Sequence, residues 1–432
     1  MKPSRYNHFV PVDGKLYAFN CLTERFFPVP DGREETYRTL LDNPDINAEA
    51  FASFYKKMLA TGFVVEDDTD EMTLVREKYD ALCRHHEFSL MILPTYACNL
   101  RCWSCIQKHK NVNLAPDYYE RIKRLLEKAV AREDIQAVQI WWFGGEPLLK
   151  YERILEINNF ARTLCEQADK RFSSNITTNA TLLTPERVDC LRESGVNHYQ
   201  ISIDGPKRIH DTVKVLQGRS AFDHALSIVD YIAKHTHVTL RFNYTHETLL
   251  PEDVIKDLSE RLSTESRLRI RFMMIKVWQE NRDKISPDLE KRLSDLASSY
   301  NLHPGKSTCG LCYTDYKNFF TVFPNGRIDK CDNLEIEKAR GELTSEGDIV
   351  WPENLPDATT AIDLPDIECY NCNLLPICWG PCVGKRYKML SCSKSIRCVY
   401  PSQKDRTRNC ADIIHDSINL QCSHNTQQHE ND

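Results

Sequence analysis

The stretch Phe88-Ser-Leu-Met-Ile-Leu-Pro-Thr-Tyr-Ala-Cys-Asn-Leu-Arg-Cys-Trp-Ser-Cys105 decides the fold of this 432-residue chain. Its first part, 88–94, is predicted to be a β-strand. Its second part places Cys98, Cys102 and Cys105 in one loop with the spacing C-x3-C-x2-C. Iron–sulfur cubes in proteins normally take four cysteines, so a loop that supplies three leaves one iron open to a further ligand. The loop therefore points to chemistry at iron.

Strands and helices are predicted to alternate along the chain after this loop. The predicted strands are 88–94, 137–143, 172–177, 198–203, 238–244 and 268–275. The predicted amphipathic helices are 116–131, 151–168, 185–194, 221–235 and 251–262. This repetition indicates an α/β fold whose parallel sheet curls into a partial (β/α)6 barrel of the TIM type. Active sites of such folds collect at the carboxyl ends of the strands, and the cysteine loop follows the first strand at that end.

The second predicted strand ends in Phe143-Gly-Gly-Glu-Pro147. Two glycines allow a ligand to approach the backbone closely, and the carboxylate after them can pair with an ammonium group. Alone, such a run also fits a plain turn at a strand end. The cysteine loop has an alternative as well, a structural zinc site completed by His109. Because the two motifs stand at neighbouring strand ends, the reactive site is the favoured interpretation.

The combination of motifs resembles the radical S-adenosylmethionine (SAM) superfamily. The resemblance covers roughly residues 88–280, and it is carried by the cysteine loop, 143–147, 177–183, 201–206 and the pair His210-Asp211. It implies a [4Fe–4S] cluster on Cys98, Cys102 and Cys105, with the open iron binding the amino and carboxylate groups of SAM. One electron, from a donor such as flavodoxin or ferredoxin, then cleaves SAM to methionine and a 5′-deoxyadenosyl radical. That radical takes a hydrogen atom from the substrate.

The resemblance also implies which residues bind SAM. They are Gly144, Gly145, Glu146, Asn179, Ser202 and Asp204. The first three are expected to hold the methionine ammonium group. The last three are expected to face the ribose or the methionine carboxylate.

The chain departs from the family pattern at three positions. Ser104 stands where an aromatic residue usually precedes the third cysteine, and Trp103 lies one position earlier. Ala180 replaces the usual glycine after Asn179, and Lys214 stands where an arginine commonly follows the His-Asp pair. The contact to adenine is therefore unassigned, and Lys214 becomes a candidate partner for the methionine carboxylate.

Eleven of the 18 cysteines lie between residues 309 and 422. Their order resembles the SPASM extension, which carries two auxiliary [4Fe–4S] clusters. By this resemblance one cluster takes Cys309, Cys312 or both, together with Cys331 and Cys382. The other takes Cys369, Cys372, Cys378 and a later cysteine, Cys398 or alternatively Cys410. One or two structural zinc sites are the other interpretation of these cysteines.

Asp332 directly follows the proposed cluster ligand Cys331. Sulfatase-maturing relatives place at this position an aspartate that deprotonates the substrate, and a carboxylate beside a cluster and a substrate is able to do so. The alternative is a solvated aspartate in a loop.

The first 85 residues are predicted to form a small α+β module of winged-helix type. Strands are predicted at 16–20, 25–29 and 62–65, and helices at 35–41 and 48–61. The module resembles the peptide-recognition domains of peptide-modifying radical enzymes, which bind a leader peptide as an extra strand. A packing or dimerisation module is the alternative. The predicted domains are thus 1–85, a radical SAM barrel at 86–304, a SPASM domain at 305–412 and a polar tail at 413–432.

The composition favours a cytoplasmic enzyme. The formal net charge is −6, and the absence of a basic block argues against a nucleic-acid partner. The sequence has no apolar run of membrane-spanning length and no signal-peptide core at its start. Eighteen cysteines in a reducing compartment indicate metal ligands or catalytic thiols rather than disulfides.

The predicted function is modification of a ribosomally synthesised peptide or protein by radical SAM chemistry. The product is expected to carry a thioether, a new carbon–carbon bond or an oxidised side chain. An anaerobic sulfatase maturase, which forms formylglycine from Cys or Ser, is the alternative within the same class. A non-catalytic iron–sulfur or zinc scaffold is the alternative outside it.

Overall fold

The structure is a computed structural model that describes most of the chain. The described residues are 1–12, 14–47, 49–84, 86–105, 107, 110–277, 280, 284–305, 311–333, 336–353, 367–382 and 384. Contacts divide the chain into two compact units. The terminal unit comprises Met1–Arg84, Thr308–Lys317 and Ala358–Asp432, and the sheet unit comprises His85–Ser307 and Asn318–Asp357. The division into domains along the sequence stays a prediction, and its polar tail lies outside the described residues.

The first part of the terminal unit mixes short strands with four helices. The strands are β1 (Lys2–Pro3), β2 (Asn7–Val12), β3 (Lys15–Asn20), β4 (Arg25–Val29) and β5 (Val64–Val65). The helices are α1 (Glu34–Asp42), α2 (Pro44–Asn47), α3 (Ala52–Thr61) and α4 (Glu71–Cys83). Strands β2, β3 and β4 form an antiparallel sheet, and β1 pairs with β5.

The sequence predicted β3, β4, β5, α1 and α3 in this region, and it missed β1, β2, α2 and α4. That helix begins after Asp70, whose carboxylate accepts a hydrogen bond from the backbone N–H of Met72 at 3.0 Å, as an N-cap residue does. Val75, Tyr79 and Cys83 are buried along it at helical spacing. The acidic residues that precede α4 obscured this pattern.

Within the described residues, the sheet unit is built on an eleven-stranded sheet. Its strands are β6 (Glu87–Ile92), β7 (Ala137–Trp142), β8 (Arg171–Thr178), β9 (Val196–Asp204), β10 (His237–Tyr244), β11 (Ile270–Lys276), β12 (His303–Gly305), β13 (Phe319–Val322), β14 (Arg327–Asp329), β15 (Gly341–Leu343) and β16 (Ile349–Val350). The helices are α5 (Pro116–Ala131), α6 (Tyr151–Gln167), α7 (Pro185–Glu193), α8 (Lys207–Val213), α9 (Ala221–Ala233), α10 (Pro251–Ser259), α11 (Thr264–Arg267) and α12 (Pro287–Ser299). Two short helices, α13 (Ile367–Tyr370) and α14 (Leu375–Cys378), lie in the terminal unit.

The predicted α/β fold with a largely parallel sheet is confirmed. Strands β6 to β12 are adjacent in chain order and parallel throughout. Within the described residues the sheet is open, because β12 lies at one edge and β16 at the other. Strand β13 pairs in parallel with β6 and extends the sheet into an antiparallel ribbon of β13 to β16.

One turn differs from its sequence-based expectation. The run Asn325-Gly326 predicts a two-residue hairpin turn, but the backbone N–H of Phe323 donates to the carbonyl of Arg327, and that of Gly326 donates to the carbonyl of Phe323. The loop is therefore one residue longer, with Gly326 at φ +82°. A type I turn followed by a left-handed glycine gives this three-residue loop.

The two faces of the parallel sheet differ in polarity. Leu90, Ile140 and Phe242 are fully buried against the helices, and each such side chain contributes roughly 1.5–3 kcal/mol of burial free energy. The side chains at alternate positions of each strand point to the opposite face of the sheet. In β8, for example, Asn175 and Thr177 are only half-buried. That face is therefore available to a ligand. No described helix is long and apolar enough to span a membrane.

Candidate active site

The cysteine loop leaves the carboxyl end of β6, as predicted. Cys98, Cys102 and Cys105 are half-buried, and none of these described thiols forms a disulfide. The sulfur of Cys98 accepts a hydrogen bond from the backbone N–H of Leu100 at 3.4 Å. The guanidinium of Arg101 donates to the carbonyl of Cys98 at 2.6 Å. Hydrogen bonds among the loop's own polar groups thus stabilise it, and its three sulfurs lie in the same loop at the carboxyl end of β6.

Burial raises the pKa of all three thiols. The pKa of Cys102 rises to about 11, and Lys214 partly opposes this shift. The pKa values of Cys98 and Cys105 are raised as well. Metal binding must therefore displace a proton from each sulfur.

The donor set of the loop suits an iron–sulfur cube. As placed in the described part of the chain, no three or more His, Cys, Asp or Glu side chains could hold a single metal ion. A cube takes each thiolate on a separate iron, so its ligands need not converge on one point. His109, the ligand invoked for a zinc site, lies outside the described residues.

Gly144 and Gly145 bring the end of β7 against the cysteine loop. The backbone N–H of Gly145 donates to the carbonyl of Thr95 at 3.0 Å, and that of Glu146 donates to the carbonyl of Ala97 at 2.9 Å. A Cβ atom on Gly144 would lie 2.5 Å from the carbonyl oxygen of Thr95, and one on Gly145 only 2.1 Å from that of Ala97. Both positions therefore require glycine for this backbone contact.

Glu146 joins two strand ends beneath the surface. Its carboxylate is fully buried and accepts hydrogen bonds from Thr178 Oγ1 at 2.8 Å, from the backbone N–H of Asn179 at 2.9 Å and from that of Leu148 at 3.1 Å. Burial raises the pKa of this carboxyl group, and the hydrogen bonds act in the opposite direction. Both carboxylate oxygens are used within the protein, so Glu146 positions its neighbours in this structure.

Asn179 connects the end of β8 to the cysteine loop. Its amide nitrogen lies 3.8 Å from Cys98 Sγ and donates to Asn99 Oδ1 at 3.0 Å. Thr181 Oγ1 closes the network by donating to Asn179 Oδ1 at 2.6 Å. Ala180 has φ +63° and is fully buried. This left-handed conformation is the one that glycine adopts without strain, which explains the glycine usual at this position.

Ser202 and Asp204 meet Lys214 at the end of β9. The ammonium of Lys214 donates to the backbone carbonyl of Ser202 at 2.5 Å and to its hydroxyl at 2.7 Å. It also lies 3.1 Å from Asp204 Oδ2, and both side chains are almost wholly buried. Burial acts to raise the pKa of Asp204, but the charge of Lys214, the neighbouring His210 and the hydrogen bond from Asn243 together outweigh it, and the pKa is lowered.

His210 contacts this ion pair through the backbone of Asp204. Its Nδ1 accepts a hydrogen bond from the backbone N–H of Asp204 at 3.0 Å, so the ring is neutral with its proton on Nε2. Burial and the nearby Lys214 lower the pKa of His210 to about 3. The ring of Phe222 packs edge-on at 5.4 Å.

Arg241 and Asn243 are site residues that the sequence analysis missed. Asn243 donates to Asp204 Oδ1 at 3.0 Å, and Arg241 donates from Nε to Asn243 Oδ1 at 3.0 Å. Arg241 pairs in register with Ser202. Burial lowers the pKa of its guanidinium, and Asp204 and Asp332 act to raise it. Polar residues at alternate positions of the strand, Thr239, Arg241 and Asn243, were the available signal.

Trp103 lies at the mouth of the same site. It lines a small groove together with Asp204, Asn243, Tyr244 and Thr248, and 56% of its surface is exposed. The aromatic residue of the cysteine loop therefore faces the end of β9 and β10 although it stands one position earlier than the family pattern.

The carboxyl-terminal candidates are divided between the two units. Cys331 and Asp332 follow β14 in the sheet unit. The described candidates of the terminal unit are Cys312, Cys369, Cys372, Cys378 and Cys382, none of which forms a disulfide. Cys309, Cys398 and Cys410 lie outside the described residues.

Residues 92–260 match the model of the radical SAM superfamily. The chain therefore carries a radical SAM domain, and that family implies a [4Fe–4S] cluster and SAM. Two curated relatives show the likeness: a GTP 3′,8-cyclase of Rhodopirellula baltica, 28% identical over 208 residues, and an Fe-coproporphyrin III synthase of Methanosarcina barkeri, 27% identical over 168 residues. These matches cover 48% and 38% of this chain and 54% and 39% of the relatives. They thus span about half of each relative or less.

The fold is similar to that of native anSMEcpe, solved with bound AdoMet and a Cp18Cys peptide. The TM-score is 0.55 and the identity 18%, and the superposition covers 77% of this chain and 99% of the other. At this identity the likeness concerns the fold.

Proposed function

We propose that this radical SAM enzyme modifies a ribosomally made peptide or protein and carries auxiliary [4Fe–4S] clusters. The observation that carries the proposal is the meeting of the cysteine loop with three strand ends: Glu146 and Asn179 hydrogen-bond to the loop, and Asp204 lines a groove with its Trp103. The substrate class is supported by the similarity of the fold to that of anSMEcpe, which was solved with a peptide. The reductant would be a small electron carrier such as flavodoxin or ferredoxin, in the cytoplasm.

The residues of the sheet unit have separable roles in this proposal. Cys98, Cys102 and Cys105 would hold the cluster, which with bound SAM supplies a 5′-deoxyadenosyl radical. Lys214 presents a buried positive charge beside Ser202, in a position suited to an anionic group such as the methionine carboxylate. Gly144 and Gly145 keep the adjoining backbone close to the loop. Backbone carbonyls there would accept hydrogen bonds from the methionine ammonium group.

Arg241 is proposed to face the substrate. It lies on the polar face of β10, and its one hydrogen bond within the described residues uses Nε. The terminal guanidinium nitrogens are then available to a peptide carbonyl or carboxylate. Its position beside Ser202 places such a contact next to the SAM site.

The auxiliary clusters are proposed on the remaining cysteines. One would use Cys312 or Cys309 with Cys331 and Cys382, and the other the group Cys369, Cys372, Cys378 and a later cysteine. Such a cluster would accept an electron or bind substrate sulfur as the product forms. None of the described thiols forms a disulfide, as this role requires.

Formylglycine formation is the second candidate, and Asp332 favours it. Burial raises the pKa of the Tyr96 phenol, and the charge of Asp332 adds to this shift. Asp332 also acts on Arg241. Its field therefore reaches both the cysteine loop and the polar face of the sheet, as a base acting on a bound substrate would need.

Anaerobic reconstitution tests the proposal. The full chain should bind about twelve irons, four for each cube, and should release 5′-deoxyadenosine when reduced with SAM. A chain with Cys98, Cys102 and Cys105 replaced by Ala should keep about eight irons and should release no 5′-deoxyadenosine. Zinc in place of iron, or no SAM cleavage by the reconstituted protein, would contradict the proposed activity.

The substrate requires a separate experiment. Short reading frames adjacent to the gene, and any adjacent sulfatase, would be co-expressed with the enzyme and analysed by mass spectrometry. A loss of two hydrogens in a short peptide supports peptide maturation, whereas formylglycine in a sulfatase supports the second candidate.

A further inference from the structure

Residues 1–84 share one hydrophobic core with the carboxyl-terminal cysteine segment, 367–382. The core residues from the first part are Tyr6, Val10, Val12, Phe19, Cys21, Val75, Tyr79 and Cys83. Those from the second are Cys369, Leu375, Ile377 and Trp379. All are at least nine-tenths buried. Neither part can bury these side chains alone, so the two parts are expected to fold together.

Tyr79 is central to this shared core. Its ring packs against that of Trp379 at 5.4 Å between centroids. Its hydroxyl donates to Asp315 Oδ1 at 2.6 Å in a buried hydrogen bond. Helix α4 therefore contacts two segments that are more than 230 residues away in sequence.

Two side chains of the amino-terminal part also hold the backbone around the C-x2-C pair. The backbone N–H of Cys372 donates to the carbonyl of Cys369 at 3.0 Å and forms a tight turn. Arg5 Nη2 donates to the carbonyl of Tyr370 at 2.5 Å, inside that turn. His8 Nε2 lies 3.1 Å from the carbonyl of Asn373, directly after it.

The chemistry of His8 suits a structural donor. A carbonyl oxygen only accepts hydrogen bonds, so Nε2 of His8 carries the proton. Burial lowers the pKa of His8, which leaves the ring neutral near pH 7. Arg5 and His8 together restrain both sides of the turn that presents Cys369 and Cys372.

The three-stranded sheet of this part is poorly suited to strand addition at its edges. Its edge strands are β2 and β4, which contain Pro11 and Pro28 respectively. Proline lacks the backbone N–H that a docked strand would need. Strand β2 also carries His8. These features favour a supporting role for the sheet over the binding of a leader peptide as a further strand.

We propose that residues 1–84 form the base of the carboxyl-terminal cysteine site, with Arg5 and His8 as positioning residues for Cys369 and Cys372. The site loads its iron–sulfur cluster when these residues hold the turn, so cluster assembly and amino-terminal folding are coupled. This inference rests on the auxiliary cluster of the proposed function. The donor set fits such a cluster, because Cys369, Cys372 and Cys378 are three described thiols within ten residues and none of them forms a disulfide.

Iron content tests the inference without relying on activity. In the full chain with Cys98, Cys102 and Cys105 replaced by Ala, all bound iron is auxiliary. Adding Arg5→Met and His8→Phe should remove about four irons per chain, one cube, and the corresponding part of the reduced electron paramagnetic resonance signal. The donor-retaining pair Arg5→Lys and His8→Gln should restore most of it. Arg33→Met, a change at an exposed arginine, should have no effect.

The outcomes separate the two proposals. If the triple cysteine variant binds no iron while Arg5 and His8 are intact, the auxiliary clusters of the proposed function are wrong. If the triple cysteine variant binds iron, and the same variant with Arg5→Met and His8→Phe added binds an equal amount, the positioning role is wrong.

Hydrogen exchange of the unaltered protein provides a second test that does not depend on a variant folding. Because coupling is reciprocal, removal of iron should speed amide exchange at 7–12 and 71–83 at least several-fold. A sample alkylated at the exposed thiol of Cys190 serves as the control for effects of sample handling on amide exchange. Equal exchange in the loaded and iron-free chains would overturn the inference.

Discussion

The side-chain amide of Asn179 lies 3.8 Å from the sulfur of Cys98, although 81 residues separate them in the sequence. The contact joins the end of β8 to the loop after β6. Glu146, at the end of the intervening strand β7, receives a hydrogen bond from the backbone N–H of the same Asn179. Three consecutive strand ends are thus connected by polar contacts around the cysteine loop.

Replacing Glu146 by Ala should destabilise the iron-free chain. The change leaves Thr178 Oγ1 and the N–H groups of Leu148 and Asn179 without their acceptor, and each buried unsatisfied group costs about 1–3 kcal/mol. We expect the free energy of unfolding, measured in urea, to fall by about 3 kcal/mol or more. Glu152→Ala, at an exposed position of the next helix, should change it by less than about 0.5 kcal/mol. Equal effects of the two changes would contradict the role given to Glu146.

Gly145→Ala should disturb the cysteine loop through a steric clash. The added Cβ would lie 2.1 Å from the carbonyl oxygen of Ala97, so the backbone must move. Overpacking of this kind costs about 1–3 kcal/mol. We expect the loop cluster to lose most of its iron and SAM cleavage to fall at least tenfold. Gly14→Ala is the control, because it strains a positive φ but meets no atom within 4 Å. Normal iron loading in Gly145→Ala would show that the contact is dispensable.

Lys214→Met should leave the buried carboxylate of Asp204 without its counter-ion. Breaking a buried ion pair on one side costs about 3–5 kcal/mol, and the pKa of Asp204 should rise. Equilibrium dialysis with labelled SAM should show at least tenfold weaker binding, with Lys214→Arg in between. Lys234→Met removes a surface pair with Asp230, which is worth at most about 1 kcal/mol, and should leave SAM binding unchanged. Wild-type affinity in Lys214→Met would refute the proposed carboxylate contact.

His210 should make the stability of the iron-free chain depend on pH. Its folded-state pKa is about 3, against an ordinary value of 6.5, so the unfolded chain binds the additional proton between these values. Stability should therefore be complete above about pH 6.5 and fall as the pH decreases, by up to about 1.4 kcal/mol per unit. Urea titrations at pH 7 and pH 5 measure this slope.

The matched variants for that experiment are His210→Gln and His237→Gln. The first removes the buried imidazole that faces Asp204, Lys214 and Phe222 and should flatten the slope. The second changes an exposed histidine at the start of β10 and should keep it. An unchanged slope in His210→Gln would assign the pH dependence to other groups.

Local patterns predicted most of the elements of the sheet unit. The predicted strand 137–143 and helix 116–131 correspond closely to β7 and α5, because apolar periodicity and proline at helix starts act within one element. Helix α4 was missed, since the acidic residues that precede it obscured the helical spacing of its apolar face. The hairpin at 319–328 was predicted, whereas its pairing with β6 was not, because pairing between distant strands leaves no local pattern.

The sequence by itself predicted the class of protein. The spacing of Cys98, Cys102 and Cys105 and the run 143–147 are one-dimensional patterns, and the radical SAM domain followed from them. Only the tertiary structure decided the partners of each side chain: Glu146 inside a hydrogen-bond network, Arg241 beside Ser202, and Arg5 and His8 on the turn between Cys369 and Asn373. Such contacts depend on how strands stack and on which groups burial deprives of water. Both are set by the packing of the whole chain and not by neighbours in sequence.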